Sequence, residues 1–247
     1  MVSSFTPRRL VRPAEPVLRR LSRLALLSES EISIVSHLPD RTDRYGAGHE
    51  LIREGEPVGR PQYLVSGWAC RQRVLPDGRR QIFGFILPGD GIGFCGPHAP
   101  PALTSVVAIT NVETVDATTI RDAARSGDHP NLTRALATAA SLDEARLLDH
   151  AVRLGRQTAY ERLAHLLLEL HQRLSSIDMA VGWRFPLPLT QETLADALGL
   201  SIVHVNRTLQ QLRRERLIEV RSGAATILAP ELLAACSDFK PLHLSVA

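Results

Sequence analysis

Eleven of the 16 glycines in this chain, at positions 46, 48, 55, 59, 67, 78, 84, 89, 91, 93 and 96, crowd into one short stretch. A chain punctuated that often cannot hold long helices there. Between the glycines stand short β-prone runs: Gln62-Tyr63-Leu64-Val65, Ala69 to Leu75, Gln81 to Leu87, and, beyond them, Ser105 to Ile109 and Val112 to Val115. Asp77-Gly78 joins two of these runs, and glycine accepts the positive φ that a tight hairpin requires. The spacing predicts antiparallel strands closed into a jelly roll or small barrel over residues 25–129, with Tyr63, Phe83 and Phe85 in its core.

After Pro130 the texture changes. Leu132, Leu136, Ala139, Ala140, Leu147, Ala151 and Leu154 recur near helical spacing up to Gly155, which predicts one helix over 130–155, roughly 36 Å long. Its apolar stripe needs a partner. A second helix is expected from Gln157 to about Leu174, and the proline-closed stretch Trp183 to Pro188 reads as a boundary. Residues 1–24, with Pro7, Pro13, Pro16 and paired arginines, read as a flexible lead. Leu21, Leu24, Leu27, Ile32 and Val35 around Ser28–Ser30 suggest two short amphipathic helices. The fold class is α+β, with residues 156–247 as a separate C-terminal domain.

That last domain carries the most specific pattern. Thr190 caps a helix whose first turn holds Gln191 and Glu192, Leu194 and Leu198 share its inner face, and Gly199 stops it. Ser201 caps a second helix after a three-residue turn, with Val205, Leu209 and Leu212 at i, i+4 and i+7 as its buried side. The other face offers Ile202, Val203, His204, Asn206, Arg207, Gln210 and Arg214, hydrogen-bonding groups suited to base edges rather than a row of solvated ion pairs. Arg207 can fork onto guanine O6 and N7 and Asn206 onto adenine, each such pair contributing about 1–3 kcal/mol of discrimination. Ser201 suits a phosphate. Leu217 to Arg221 and Ala225 to Leu228, joined by Ser222-Gly223, form a hairpin wing with Arg213, Arg214, Arg216 and Arg221 around it. A plain αα-hairpin used for packing is the simpler alternative.

Composition sets limits on the rest. The net charge is +3, with 44% hydrophobic and 22% charged residues, and Lys240 is the only lysine. Arginine favours forked phosphate and base contacts. The three cysteines, Cys70, Cys95 and Cys236, stand too far apart for a local metal or cluster motif, and Cys95 with His98 alone is too little for one. Cys95 is a candidate redox switch. No apolar run approaches a membrane span or a signal-peptide core, so a soluble cytoplasmic protein is expected. Gly91-Ile92-Gly93-Phe94-Cys95-Gly96 fits the GxGxxG pattern, but Pro97, Pro100 and Pro101 deny it the helix that dinucleotide binding needs. With no nucleophile elbow or P-loop either, an enzyme is not expected, and no cofactor is assigned. His165 and His171 are expected at the surface.

The chain resembles the Crp/Fnr superfamily of bacterial regulators over about residues 25–235. The resemblance rests on Gly48, Glu54-Gly55, Tyr63-Leu64-Val65-Ser66-Gly67, Asp77-Gly78-Arg79-Arg80-Gln81-Ile82, Pro88-Gly89-Asp90 and Gly93. It continues in Leu189-Thr190-Gln191-Glu192, Leu194-Ala195, Leu198-Gly199-Leu200-Ser201 and Val205-Asn206-Arg207-Thr208-Leu209. It implies a cyclic-nucleotide-binding-type β-roll, a dimerisation helix and a winged helix-turn-helix. It further implies a homodimer on a palindromic site in double-stranded DNA, with RNA polymerase as a further partner and recognition helices about 34 Å apart. Members that bind cyclic AMP follow Gly93 with a glutamate and later place an arginine. Here Phe94 and the arginine-free stretch Pro100 to Ser105 stand instead, so no cyclic-AMP response is expected. The absence of cysteine before Cys70 argues against the iron–sulfur cluster of the oxygen-sensing branch, and Val203 stands where many members read a base with glutamate. The alternative reading is a ligand-binding β-roll protein whose C-terminal module contacts other proteins.

Overall fold

The computed structural model describes residues 13–94 and 101–241. Cys95, His98 and the first twelve positions of the expected lead lie outside the described residues. From Pro13 onward the chain is folded, which corrects the second half of that lead. α1 (Ala14–Ser22) buries Val17 and Leu21. Pro13 and Pro16 precede and enter its first turn, where amide hydrogens have no intrahelical acceptor to lose, so the prolines do not argue against a helix there. α2 (Glu29–Ser36) starts in a reciprocal cap between Ser28 and Glu31. The buried Glu31 carboxylate also accepts the backbone amides of Asn131 and Leu132, at 2.8 and 3.0 Å, at the start of the long helix. Burial opposes its charge, but these hydrogen bonds prevail and hold its pKa down to about 2.

Eight strands follow: β1 (Asp43–Tyr45), β2 (Glu50–Ile52), β3 (Gln62–Ser66), β4 (Ala69–Val74), β5 (Arg80–Ile86), β6 (Gly91–Ile92), β7 (Ser105–Ala108) and β8 (Val112–Asp116). They form two four-stranded antiparallel sheets, ordered β1-β8-β3-β6 and β2-β7-β4-β5. Leu64, Ala69, Ile86, Val106 and Val112 form an apolar cluster drawn from both sheets. Gly67 shows why glycine is required between β3 and β4: its φ is +80°, and a Cβ there would lie 2.1 Å from the Asn111 carbonyl oxygen. Of the three aromatics assigned to the core, Tyr63 and Phe85 are buried and Phe83 is half-buried.

α3 (Thr118–Ser126) leads into α4 (Pro130–Arg156), whose 27 residues span about 40 Å. The C-terminal domain comprises α5 (Ala159–Ser175), β9 (Arg184–Pro186), α6 (Gln191–Leu198), α7 (Ile202–Arg214), β10 (Ile218–Arg221), β11 (Ala224–Ile227) and α8 (Pro230–Ser237). The stretch read as a boundary contains β9, which pairs with β11 at Phe185↔Ala225 and adds a third strand to the wing. Pro186 is tolerated because β9 is an edge strand. His165 is buried, not a surface residue, because α5 is covered on several sides and this ring meets Phe239 at 5.1 Å between centroids. Among the described residues no helix is long and apolar enough to cross a membrane.

One hydrophobic cluster joins the two halves. Trp68, Ile82 and Phe85 of the β-roll share it with Leu163 and Leu167 of α5 and with Phe185, Leu209 and Leu212 of the C-terminal domain. Phe185→Ala is therefore expected to cost about 3–5 kcal/mol in urea unfolding, in a single transition for both halves; two separate transitions would contradict a shared core. Burial also lowers His150 and His165 to about 4. Below the ordinary histidine value the unfolded chain binds protons that the folded one refuses, so stability should fall as pH drops from about 6.5 to about 4. Urea midpoints across that range check it, and the slope should be smaller in His165→Phe.

Candidate nucleic-acid interface

The two-helix element is built by local chemistry. Thr190 Oγ1 accepts the Thr193 amide at 3.0 Å, capping α6, and Leu194 and Leu198 are buried. Gly199 ends the helix with φ +63°, and a Cβ there would come within 3.1 Å of Leu154 Cδ2 on α4. Ser201 Oγ accepts the His204 amide at 3.2 Å and opens α7. Val205, Thr208, Leu209 and Leu212 hold that helix to the core. The remaining face is open: Ser201, Ile202, Val203, His204, Arg207, Gln210 and Arg214 are exposed, and Asn206 is half-buried.

The structure separates groups that are free to bind from groups already engaged. No hydrogen bond or ion pair to the side chain of Asn206, Arg207, Gln210 or Arg214 is formed among the described residues, although the Arg214 charge is felt by neighbouring Glu215. Thr190 and Gln191 are both exposed, but the Thr190 hydroxyl is engaged in its cap. Arg213 donates to the Val220 carbonyl at 3.0 Å, pinning the wing to α7, and Arg221 faces Glu219 at 2.8 Å. The sequence grouped these two with Arg214 and Arg216 as equivalent positive charges. Ser222 and Gly223 both have positive φ, at 50° and 73°, which gives the wing the tight turn its twist favours.

The expected dimerisation stripe divides in two. Leu132 is fully buried in its own protomer beside Ile120 and Val35, so it cannot face a second chain; this corrects its assignment. Leu136 and Ala139 pack partly on the same core, and Leu154 is half-buried near Gly199. Ala140, Leu147 and Ala151 are exposed. Leu148 and Val152, 62% and 54% exposed, complete this outward face and were missed. The repeat of Leu147-Leu148 four residues later as Ala151-Val152 was the available signal.

Two ion-pair groups fix the domain against the β-roll. Arg80 of β5 meets Asp196 of α6 at 2.5 Å. Arg173 of α5 reaches Asp90 at 2.5 Å and the Phe85 carbonyl at 2.8 Å, and Glu169 links Arg173 at 3.5 Å to Arg153 of α4 at 2.7 Å. Burial would raise the Asp90 pKa, but Arg173 and Arg20 hold it at about 2. Between the β-roll and α4 lies a cavity of about 710 Å³, with Arg71, Asp90, Phe94, Thr133 and Leu136 among its walls. The Phe94 ring leans on Tyr63 at 5.0 Å between centroids and covers Gly91 so closely that a Cβ there would lie 2.8 Å from it. Among the described residues no group of three or more His, Cys, Asp or Glu is placed to hold a metal.

Comparison with known proteins agrees with this geometry. Residues 161–236 match the Crp-like helix-turn-helix domain and residues 42–118 the cyclic nucleotide-binding domain. The nitrogen fixation regulation protein FixK of Bradyrhizobium diazoefficiens is 33% identical over 206 residues, 83% of this chain and 84% of that protein. The transcriptional activatory protein AadR of Rhodopseudomonas palustris is 31% identical over 76% of this chain and 77% of its own length. The structure of FixK2 from Bradyrhizobium japonicum superposes with a TM-score of 0.69 at 28% identity, covering 79% of this chain and 96% of that one. With the β-roll, the long helix and the winged helix-turn-helix in the same order as in these relatives, the chain belongs to the Crp/Fnr superfamily.

Proposed function

We propose that the protein is a homodimeric, sequence-specific DNA-binding regulator of transcription that reads a palindromic site. The observation that carries this reading is the open face of α7, where the side chains of Arg207, Asn206, Gln210 and Arg214 make no hydrogen bond or ion pair among the described residues although the opposite face is tightly buried. Ser201 and Gln191 stand at helix starts, where backbone amides and hydroxyls suit phosphate oxygens. Ile202 and Val203 offer apolar contact to thymine methyl groups.

The outward stripe of α4 is the dimer seam. Leu147, Leu148 and Val152 are more than half exposed, an arrangement that a second copy of the helix would cover. Two recognition helices then enter successive major grooves about 34 Å apart. The role is regulatory rather than enzymatic and belongs in the cytoplasm, with RNA polymerase as the further partner. Regulation would act by shifting the population of dimer arrangements that match the half-site spacing.

Selection from random duplexes should return an inverted repeat, and affinity for it should fall steeply with salt; no binding to any duplex would overturn the reading. Arg207→Ala should cost about 1–3 kcal/mol and relax specificity at one base pair per half-site, measured by titration of single-base operator variants. Leu148→Glu should shift the protein to monomers in sedimentation and abolish tight operator binding while leaving the helical circular-dichroism signal in place.

A further inference from the structure

A second cavity, of about 460 Å³, opens where α1, α4, α5 and the residues after α8 converge. Five cationic side chains line it, Arg20, Arg23, Arg146, Arg173 and Lys240, against two carboxylates, Asp149 and Glu169. The surrounding ion pairs offset only part of this excess, Lys240 with Asp238 at 3.5 Å and Arg146 with Asp143 at 2.8 Å among them. Asp90 and Glu169 together serve Arg20, Arg153 and Arg173, so two carboxylates are shared among three guanidiniums. Asp149 lies outside these pairs, and burial raises its pKa above the ordinary aspartate value.

Of the buried guanidiniums in the group, Arg146 has the most exposed ion-pair partner. Its side chain is only 12% exposed, and its ion pair, at 2.8 Å, is with Asp143 one turn earlier on α4. Asp143 is itself 42% exposed and is also shared with Arg71 at 3.4 Å. Burial together with repulsion from Arg173 and Arg20 outweighs the attraction of Asp90 and Asp143 and lowers the Arg146 pKa to about 10. At the same cavity Arg23 is exposed and has no ion pair among the described residues. The His165 ring also lines the cavity, and its buried Nδ1 has no hydrogen-bond partner among the described residues. A desolvated guanidinium whose carboxylate neighbours are all shared with other arginines is costly unless something negative joins it.

We propose that this junction cavity binds a small, multiply charged oxyanion, a phosphate ester or a polycarboxylate, held by Arg146 and Arg23 with Arg20 behind them. The ligand bridges α1 to α4 and α5, so it stabilises the observed placement of the C-terminal domain on the β-roll. The site adjoins the cavity beneath Phe94, with Arg20 and Leu24 lining both, and its existence does not depend on the DNA-binding reading.

The test is thermal unfolding of the full chain at constant ionic strength, with chloride replaced over the low millimolar range by inorganic phosphate in one arm and by citrate in another. A melting temperature that rises by several degrees and follows a saturable one-site curve supports the site, and the arm that responds names the source as phosphate, carboxylate or either. In chloride, Arg146→Met should melt at or above the wild-type temperature, since it removes a poorly compensated buried charge, yet it should lose the anion response. Arg23→Gln, at an exposed position, should weaken the apparent affinity at least threefold. Arg207→Ala, on the recognition face, should respond like wild type. The absence of a saturable rise in both arms would overturn the proposal. So would an equal response in Arg146→Met, or, if that variant does not fold, in Arg23→Gln.

Discussion

Asp90 keeps its negative charge in a largely buried position at the wall of a cavity, and the arrangement of the protein turns on how that charge is held. Its oxygens accept the Leu87 amide at 2.8 Å, meet Arg173 of α5 at 2.5 Å and face Arg20 of α1 at 3.6 Å. The residue before it, Gly89, lets the turn press so close to α1 that a Cβ would lie 2.7 Å from the Pro16 carbonyl oxygen. One carboxylate thus ties the β-roll to both the N-terminal helix and the C-terminal domain. Comparable buried pairs cost about 3–5 kcal/mol to break from one side, because the remaining charge is left uncompensated.

Direction comes from these charges and adhesion from the apolar cluster around them. Trp68, Ile82 and Phe85 would present a hydrophobic face to water if α5 and α6 were not packed on it. Hydrophobic burial does not choose among similar orientations, whereas Arg80 on Asp196 and Arg173 on Asp90 do, since each pair requires one distance and one angle. The recognition helix is thereby held with Val205, Leu209 and Leu212 inward and Arg207 outward. The same crowding of guanidiniums at the junction leaves Arg146 short of counter-charge, so the ion pairs that orient the domain also create the cationic cavity beside it.

Much of the helix-turn-helix was legible because its signals are local. A capping hydroxyl at Thr190 or Ser201, a stop at Gly199 and a period of 3.6 in Val205, Leu209 and Leu212 act over a single turn or two. The central strands β3, β4, β5, β7 and β8 were legible for a similar reason, being long enough to show their residue types between turn signals. The strands β1, β2, β6 and β9 have two or three residues each and exist only because a distant partner accepts their hydrogen bonds. The helices α3 and α8 lie in short segments between stronger patterns and gave no separate signal. α1 was hidden by prolines that a first turn tolerates.

The sequence by itself determined which segments are helix, strand and turn in the core of the fold, and which residue types the recognition face offers. Those properties follow from dihedral preference, capping and periodicity within a few neighbours. Tertiary structure alone decided which of the similar side chains remain free. Leu132 and Leu148 lie on one helix, yet one is sealed in its own core and the other faces outward; Arg213 holds a carbonyl while Arg214 beside it meets solvent. Burial and pairing depend on what distant parts of the chain bring to the same place, and no local pattern encodes that.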